Sequence, residues 1–301
     1  MTCAFVARER PEVSTIHRPD AADFHHWLRR LEAASRLSPK ATAVVDAIAT
    51  DPQRASYASV RDVAAAARVN LATVTRTAQS LGFSGWPMFQ HEVRARYLAD
   101  LTATAVAQSR SNAGGHPGEA ALERDRANLD YFIGAVDRDL LAATARDIAA
   151  ARRTVVVGSG SYAFVAQALA FNGTTAGYDL RSFSDPAPLS HALAATTCGD
   201  LIIGISFWRF YNSTLHALHS ASEKGARVVL ITDAPTPKAE QVSDRIVAVP
   251  TDGGSFFPSL TVAMSLIQAI VTELTALAPE RTQASIARSE AEWQRLDLLY
   301  R

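Results

Sequence analysis

Five short runs of mainly aliphatic residues alternate with helical patterns over the second half of the chain: Thr154–Val157, Leu180–Phe183, Leu201–Ile205, Val228–Ile231 and Ile246–Val249. Most are apolar continuously rather than at every second position, which marks a strand covered on both faces. Such strands pair in parallel, and the helices between them make right-handed crossovers. The spacing therefore predicts a C-terminal α/β domain, doubly wound around a parallel five-stranded sheet. Its last strand leads through Pro250 and Gly253-Gly254 to an apolar helix over Phe257–Leu277. After a break at Pro279, an amphipathic helix is expected over Thr282–Leu299.

The first half carries a different rhythm. Phe24, Trp27, Leu28 and Leu31 recur at helical spacing within Ala21–Arg36, three short helical patterns follow between Ser38 and Leu81, and a longer one runs from Trp86 to about Ala107. Ser109–Gly118, rich in glycine and serine, has too little apolar surface to pack and reads as a connection. The organisation expected is an arm and helix over 1–36, an all-α helix-turn-helix domain over 37–108, a linker over 109–118, an α/β domain over 119–280 and a terminal helix over 281–301. Two helices are expected within Glu119–Ala151, the second opening at Asp137.

Within the all-α half, Ser38-Pro39 places a capping serine before a proline at the first helical position. Ser59 begins a second helix with Asp62 three residues on, a capping-box spacing. Arg68-Val69-Asn70 makes a turn, Asn70 caps a third helix over Leu71–Leu81, and Gly82 ends it. On that helix Val74, Ala78 and Leu81 fall on one side, leaving Ala72, Thr73, Thr75, Arg76 and Gln79 on the other. This second face is short and polar and has no carboxylate to repel phosphates, which suits a recognition helix in a major groove. Asn70, Ala72, Thr73, Thr75, Arg76 and Gln79 are thus the candidate DNA-contacting residues, with Arg76 foremost for guanine or phosphate.

The segments Leu37-Ser-Pro-Lys, Ser59-Val-Arg-Asp-Val-Ala, Val69-Asn-Leu-Ala-Thr-Val-Thr-Arg and Leu81-Gly-Phe-Ser-Gly-Trp resemble the N-terminal domain of RpiR/MurR-type regulators. That family's pattern has Leu-Ser at its start, an alanine-rich second helix, Val-Ser-x-x-Thr-Val-x-Arg on the recognition helix and a closing Leu-Gly-Phe. Asn70 stands where the pattern has a capping serine and preserves the cap. The resemblance covers about the first third of the chain and implies a transcription regulator that binds double-stranded DNA at a roughly palindromic operator as a homodimer or homotetramer.

Directly after the first strand, Gly158-Ser159-Gly160-Ser161 enters a helix near Ala163, where free amides and hydroxyls can meet an anion. The same residues fit Gly-x-Gly-x-x-Ala, a variant dinucleotide fingerprint, with Asp185 a possible ribose ligand. Together with Asp200–Ser206, Gly225–Asp233, Thr236-Pro237 and Ser243-Asp244, the first loop resembles the sugar isomerase (SIS) domain, which follows the helix-turn-helix in RpiR/MurR-type regulators. By that resemblance Ser159, Ser161 and Ser206 are phosphate-binding positions, and the ligand is a phosphosugar or other small anionic metabolite. Gly160 and Thr214 complete the loops. The chain departs from the usual Ser-x-Ser-Gly-x-Thr loop, having Ser206-Phe207-Trp208-Arg209-Phe210-Tyr211-Asn212-Ser213-Thr214. Arg209 can hold a carboxylate or phosphate, with Trp208, Phe210 or Tyr211 closing over the ligand; equally, these aromatics can pack at a subunit contact.

Isomerase chemistry needs a placed base. His216, His219 and Glu223 recur at helix-surface spacing and His191 stands alone, so a non-catalytic regulator is expected, with neither metal nor cofactor. Among 301 residues with zero formal net charge, a DNA-binding surface must be local. Cys3 and Cys198 have neither metal nor disulfide spacing. Charged residues interrupt Met1–Val13, and no apolar run is long enough to span a membrane, so a cytoplasmic protein is expected.

Overall fold

The computed structural model describes residues 24–101, 104, 116–208, 210–233, 235, 237–255 and 257–298. The chain divides into two compact units, Met1–Val106 and Ala107–Arg301. The arm before residue 24 and most of the expected linker, 109–115, lie outside the described residues.

In the first unit, α1 (Phe24–Ala34), α2 (Pro39–Thr50), α3 (Pro52–Tyr57), α4 (Val60–Ala66), α5 (Leu71–Ser80) and α6 (Trp86–Asp100) surround one core. Phe24, Trp27, Leu28, Val44, Ile48, Val74 and Phe89 are buried together there. Ser38 accepts the Ala41 amide at 3.3 Å and so caps α2. Four helices occupy 38–81 rather than three. The extra one, α3, is six residues long and begins with its own signal: Asp51 accepts the Arg54 amide at 2.9 Å, and Pro52 takes the first helical position. Gln90 on α6 donates to the carbonyls of Ala55 and Ala58 at 2.9 and 2.6 Å, and Arg94 donates to that of Ser56 at 2.8 Å. These bonds satisfy carbonyls at the end of α3 that have no helical partner.

The second unit opens with α7 (Pro117–Ala135) and α8 (Arg138–Ala150), followed by β1 (Thr154–Gly158), α9 (Tyr162–Thr175), β2 (Leu180–Phe183), α10 (Pro186–Ala194), β3 (Leu201–Ile205), α11 (Asn212–Glu223), β4 (Arg227–Thr232), α12 (Pro237–Val242), β5 (Arg245–Ala248), α13 (Thr261–Leu277) and α14 (Pro279–Arg295). Helix α7 starts two residues before the expected domain boundary. The expected break falls between Leu277 and Pro279, and the tail helix starts at Pro279 rather than Thr282, with the proline in a first-position role.

The five strands are all parallel, in the order β2-β1-β3-β4-β5. β1 and β3 are buried throughout, and separate apolar clusters cover the two faces of the sheet. From β1 the chain winds outward to β2, then returns across β1 to β3. This makes the carboxyl ends of β1 and β3 a topological switch point, where α/β sheets open a crevice. Gly158 pairs with Ile205 across those ends, so the loops beginning at Ser159 and Ser206 leave the sheet side by side.

At the opposite ends of the strands, two buried carboxylates tie the frame. Asp147 on α8 pairs with Arg227 and, at 2.5 Å, with Arg245. Asp200 accepts from Arg152 at 2.9 Å, Arg153 at 3.3 Å and the Thr197 amide at 2.9 Å.

Candidate functional sites: a recognition helix and a strand-end crevice

Helices α4 and α5 are joined by a turn whose geometry the local sequence fixes. Ser59 and Asp62 form a reciprocal capping box on α4. Hydrogen bonds from the Ser59 hydroxyl and amide hold the Asp62 carboxyl below its ordinary pKa. The box therefore stabilises α4 fully above the ordinary carboxylate range, and loses strength as pH falls through the lowered value. Helix α4 ends with Arg68 in the left-handed region, φ 54°, while the amides of Arg68 and Val69 donate to the carbonyls of Ala65 and Ala64. Helix α5 closes the same way at Gly82, φ 95°, which has no Cβ to strain.

Asn70 caps α5 as expected: its Oδ1 accepts both the amide and the hydroxyl of Thr73 at 2.8 Å. This bond corrects the position of Thr73. Its side chain turns inward to the cap and the residue is 8% exposed, so Thr73 does not share the outer face. Ala72, Arg76 and Gln79 are exposed and Thr75 is half-buried, at spacings of three, four and seven along one side of α5. No carboxylate pairs with Arg76 among the described residues. The exposed Arg68 in the turn adds a second cation that sequence reasoning passed over.

At the switch point, Gly158 lets α9 close on β1: a Cβ there would lie 2.7 Å from the Tyr162 carbonyl oxygen. Beyond it, Ser159 is buried, with its Oγ 3.1 Å from the Oγ of Ser213 at the head of α11. Gly160 is left-handed, φ 59°. Ser161 precedes α9 without a capping side-chain bond, and Tyr211 precedes α11 likewise. Two helix N-termini thus present amides that no side chain caps. Ser206 is fully enclosed and its amide continues the ladder to Ile231 at 3.1 Å. Thr214, also fully buried, has a hydroxyl with no hydrogen-bond partner. Ser159 and Ser213 are brought together, Thr214 packs against Gly204 of β3, and Arg209 lies outside the described residues.

The aromatic segment divides between interior and surface. Phe207 is fully buried and meets Tyr162 edge-on at 5.2 Å between ring centroids. Phe210 packs on the apolar cluster under the opposite face. Phe207 is thus part of the core, whereas Trp208 and Phe210 are half-buried and Tyr211 is exposed. Tyr162 donates to the Phe207 carbonyl at 2.7 Å, and burial, with Asp233 and Tyr211 adding to it, drives its pKa upward. The hydroxyl stays protonated and keeps donating.

The residues weighed for other chemistries lie elsewhere. Asp185 caps α10, accepting the Ala187 amide at 2.8 Å. His216, His219 and Glu223 run along α11 away from the strand carboxyl ends, toward the turn at Gly225. Burial lowers the pKa of His219, which Glu223 partly offsets. Among the described residues, no three His, Cys, Asp or Glu side chains are grouped to hold a metal. Sequence reasoning missed Ser213 and Asp233. Ser213 was legible as the residue before Thr214 at a helix start; Asp233 was not, because its partners are distant in sequence.

Residues 29–100 match the helix-turn-helix domain of the rpiR family, and residues 147–273 match the SIS domain. A curated relative, the uncharacterized HTH-type transcriptional regulator YfhH of Escherichia coli (strain K12), is 21% identical over 272 residues, spanning 86% of this chain and 96% of the relative. The Vibrio vulnificus NanR protein, solved in complex with ManNAc-6P, has a TM-score of 0.57 and 21% identity, covering 89% of this chain and 98% of that one. The sugar isomerase domain of an RpiR transcription factor from Sphaerobacter thermophilus has a TM-score of 0.56 and 24% identity, covering 58% of this chain and 98% of that one. A helix-turn-helix unit ahead of a SIS domain defines a DNA-binding transcriptional regulator. The chain belongs to the RpiR-type regulators.

Proposed function

We propose that the crevice between β1 and β3 binds the phosphate of a phosphosugar, and that occupancy changes the grip of α5 on a roughly palindromic operator. The observation carrying this reading is the Thr214 hydroxyl, buried and without a partner among the described residues, on the residue that follows Ser213 of the Ser159–Ser213 pair. A buried hydroxyl without a partner costs about 1–3 kcal/mol, and a phosphate oxygen would remove that cost. The starts of α9 and α11, without side-chain caps, supply the favourable end of each helix dipole. The NanR complex with ManNAc-6P supports the ligand class. The replaced loop argues that the sugar end is read differently here, by Trp208, Tyr211 and Arg209 rather than by a second serine and glycine.

The protein acts as a non-catalytic regulator in the cytoplasm. No single described helix is long and apolar enough to cross a membrane. A two-fold operator calls for a homodimer or homotetramer. Phe164 and Phe171, both 67% exposed and two turns apart on α9, offer an apolar face that such an assembly would cover.

A thermal-shift panel tests the ligand: N-acetylmannosamine 6-phosphate, other sugar 6-phosphates, their unphosphorylated parents, inorganic phosphate and NAD. A phosphosugar is expected to raise the melting temperature more than its parent sugar. Ser159→Ala or Thr214→Val should weaken that ligand about 10- to 100-fold through a lost charge-assisted hydrogen bond. A shift by NAD alone, or a phosphosugar shift untouched by both substitutions, overturns the reading.

A further inference from the structure

One carboxylate links the crevice to a distant helix. Trp208 holds a left-handed backbone, φ 55°, unusual for a bulky side chain. Its amide donates to both oxygens of Asp233, at 2.9 and 3.1 Å. The Thr251 hydroxyl donates to the same carboxylate at 2.6 Å. Asp233 and Thr251 are 8% and 7% exposed, so little water is available to replace either bond.

The segment after Thr251 is seated along one stripe of α7. Asn128 donates to the Asp252 carbonyl at 2.7 Å, and Arg124 faces the Asp252 carboxylate at 3.5 Å. The Thr261 hydroxyl donates to Asp125 at 2.7 Å. Gly254 lies so near the helix that an added Cβ would be 2.7 Å from that of Ala121. Positions 121, 124, 125 and 128 share a helix face, so these contacts dock a single surface.

We infer that Asp233 is a positioning residue that couples the strand-end crevice to α7, through the contact series Trp208–Asp233–Thr251–Asp252–Asn128. The switching element is the Trp208 backbone, which the carboxylate holds in a conformation it would otherwise leave. Releasing that amide removes the bond that orients the Asp233 carboxylate, loosens Thr251 and slackens the 252–254 segment against α7. Helix α7 is the first described helix after the stretch leading from the DNA-binding unit, so its seating is where the crevice can address that unit. The regulatory meaning rests on the ligand reading above; the coupling itself does not.

Hydrogen exchange of the ligand-free, full-length chain therefore tests it separately. Thr251→Val, which removes the donor while keeping the shape, should speed exchange about tenfold or more both at the Trp208 amide and in α7. Coupling is reciprocal, so Asn128→Ala should speed exchange at the Trp208 amide as well as locally. Should Thr251→Val fail to fold, Asn128→Ala decides alone. If Asn128→Ala loosens α7 and leaves the Trp208 amide at its wild-type rate, the inference is wrong, whatever ligand the crevice binds.

Discussion

Replacing Arg76 with alanine is expected to weaken operator binding by about 10- to 100-fold, the effect of losing one bidentate base contact. Arg76 is the exposed cation at the centre of the α5 face, flanked by Ala72, Thr75 and Gln79, and the chain has no net positive charge to compensate. The form of the loss identifies the contact. A guanine contact would relax selectivity at one base pair, whereas a phosphate contact would weaken all sequences alike and reduce the salt slope by about one. Binding is measured by mobility shift on the region upstream of the native coding sequence, with Thr73→Val as a control. That variant breaks the bond to Asn70 inside the turn, so it should lower the stability of α5 more than it alters sequence preference. Equal operator affinity for Arg76→Ala and wild type would remove the recognition-helix assignment.

The second large effect is on stability. The Asp200 side chain is fully buried, and Arg153 beside it is 16% exposed, whereas Arg152 is 59% exposed. Removing one partner of a buried pair costs about 3–5 kcal/mol. The second Asp200 oxygen already lacks a partner, which places Asp200→Ala at the lower end, about 3 kcal/mol. For a unit of this size that is a fall in melting temperature of roughly 6–12 °C. Arg152→Ala should cost under about 1 kcal/mol, because solvent screens that arm of the pair. Calorimetry of both variants distinguishes a buried tie from a surface ornament: similar melting temperatures would contradict the assignment of Asp200 as the node.

The sheet was legible because buried parallel strands leave continuous apolar runs. Leu180–Phe183 and Leu201–Ile205 appear with the expected bounds, and the other strands shift by a residue at one or both ends. Caps were legible for the same local reason: Ser38, Ser59, Asn70 and Asp137 act on amides within three residues. Helix α3 was passed over because six residues are too few to show a period, although Asp51-Pro52 announced it. Thr73 was misplaced because a helical wheel assigns it outward, while the cap next to it offers its hydroxyl an acceptor.

In the crevice, the first loop was visible from its glycines and serines. The division of the aromatic segment between core and surface was not, because it depends on which sheet face Phe207 and Phe210 meet. Nor was Asp233, whose partners stand 25 and 18 residues away. Long-range polar contacts leave no period to read.

The central claim is that a metabolite at the β1–β3 crevice sets the affinity of α5 for DNA. Fluorescence anisotropy of labelled operator, with the full-length protein and increasing concentrations of whichever phosphosugar raises its melting temperature, tests it most directly. The operator dissociation constant should change by about 5- to 150-fold, the usual span of coupling between sites, and in Ser159→Ala the change should need about 10- to 100-fold more ligand while ligand-free DNA binding persists. An operator affinity that stays constant as the crevice fills would contradict the account.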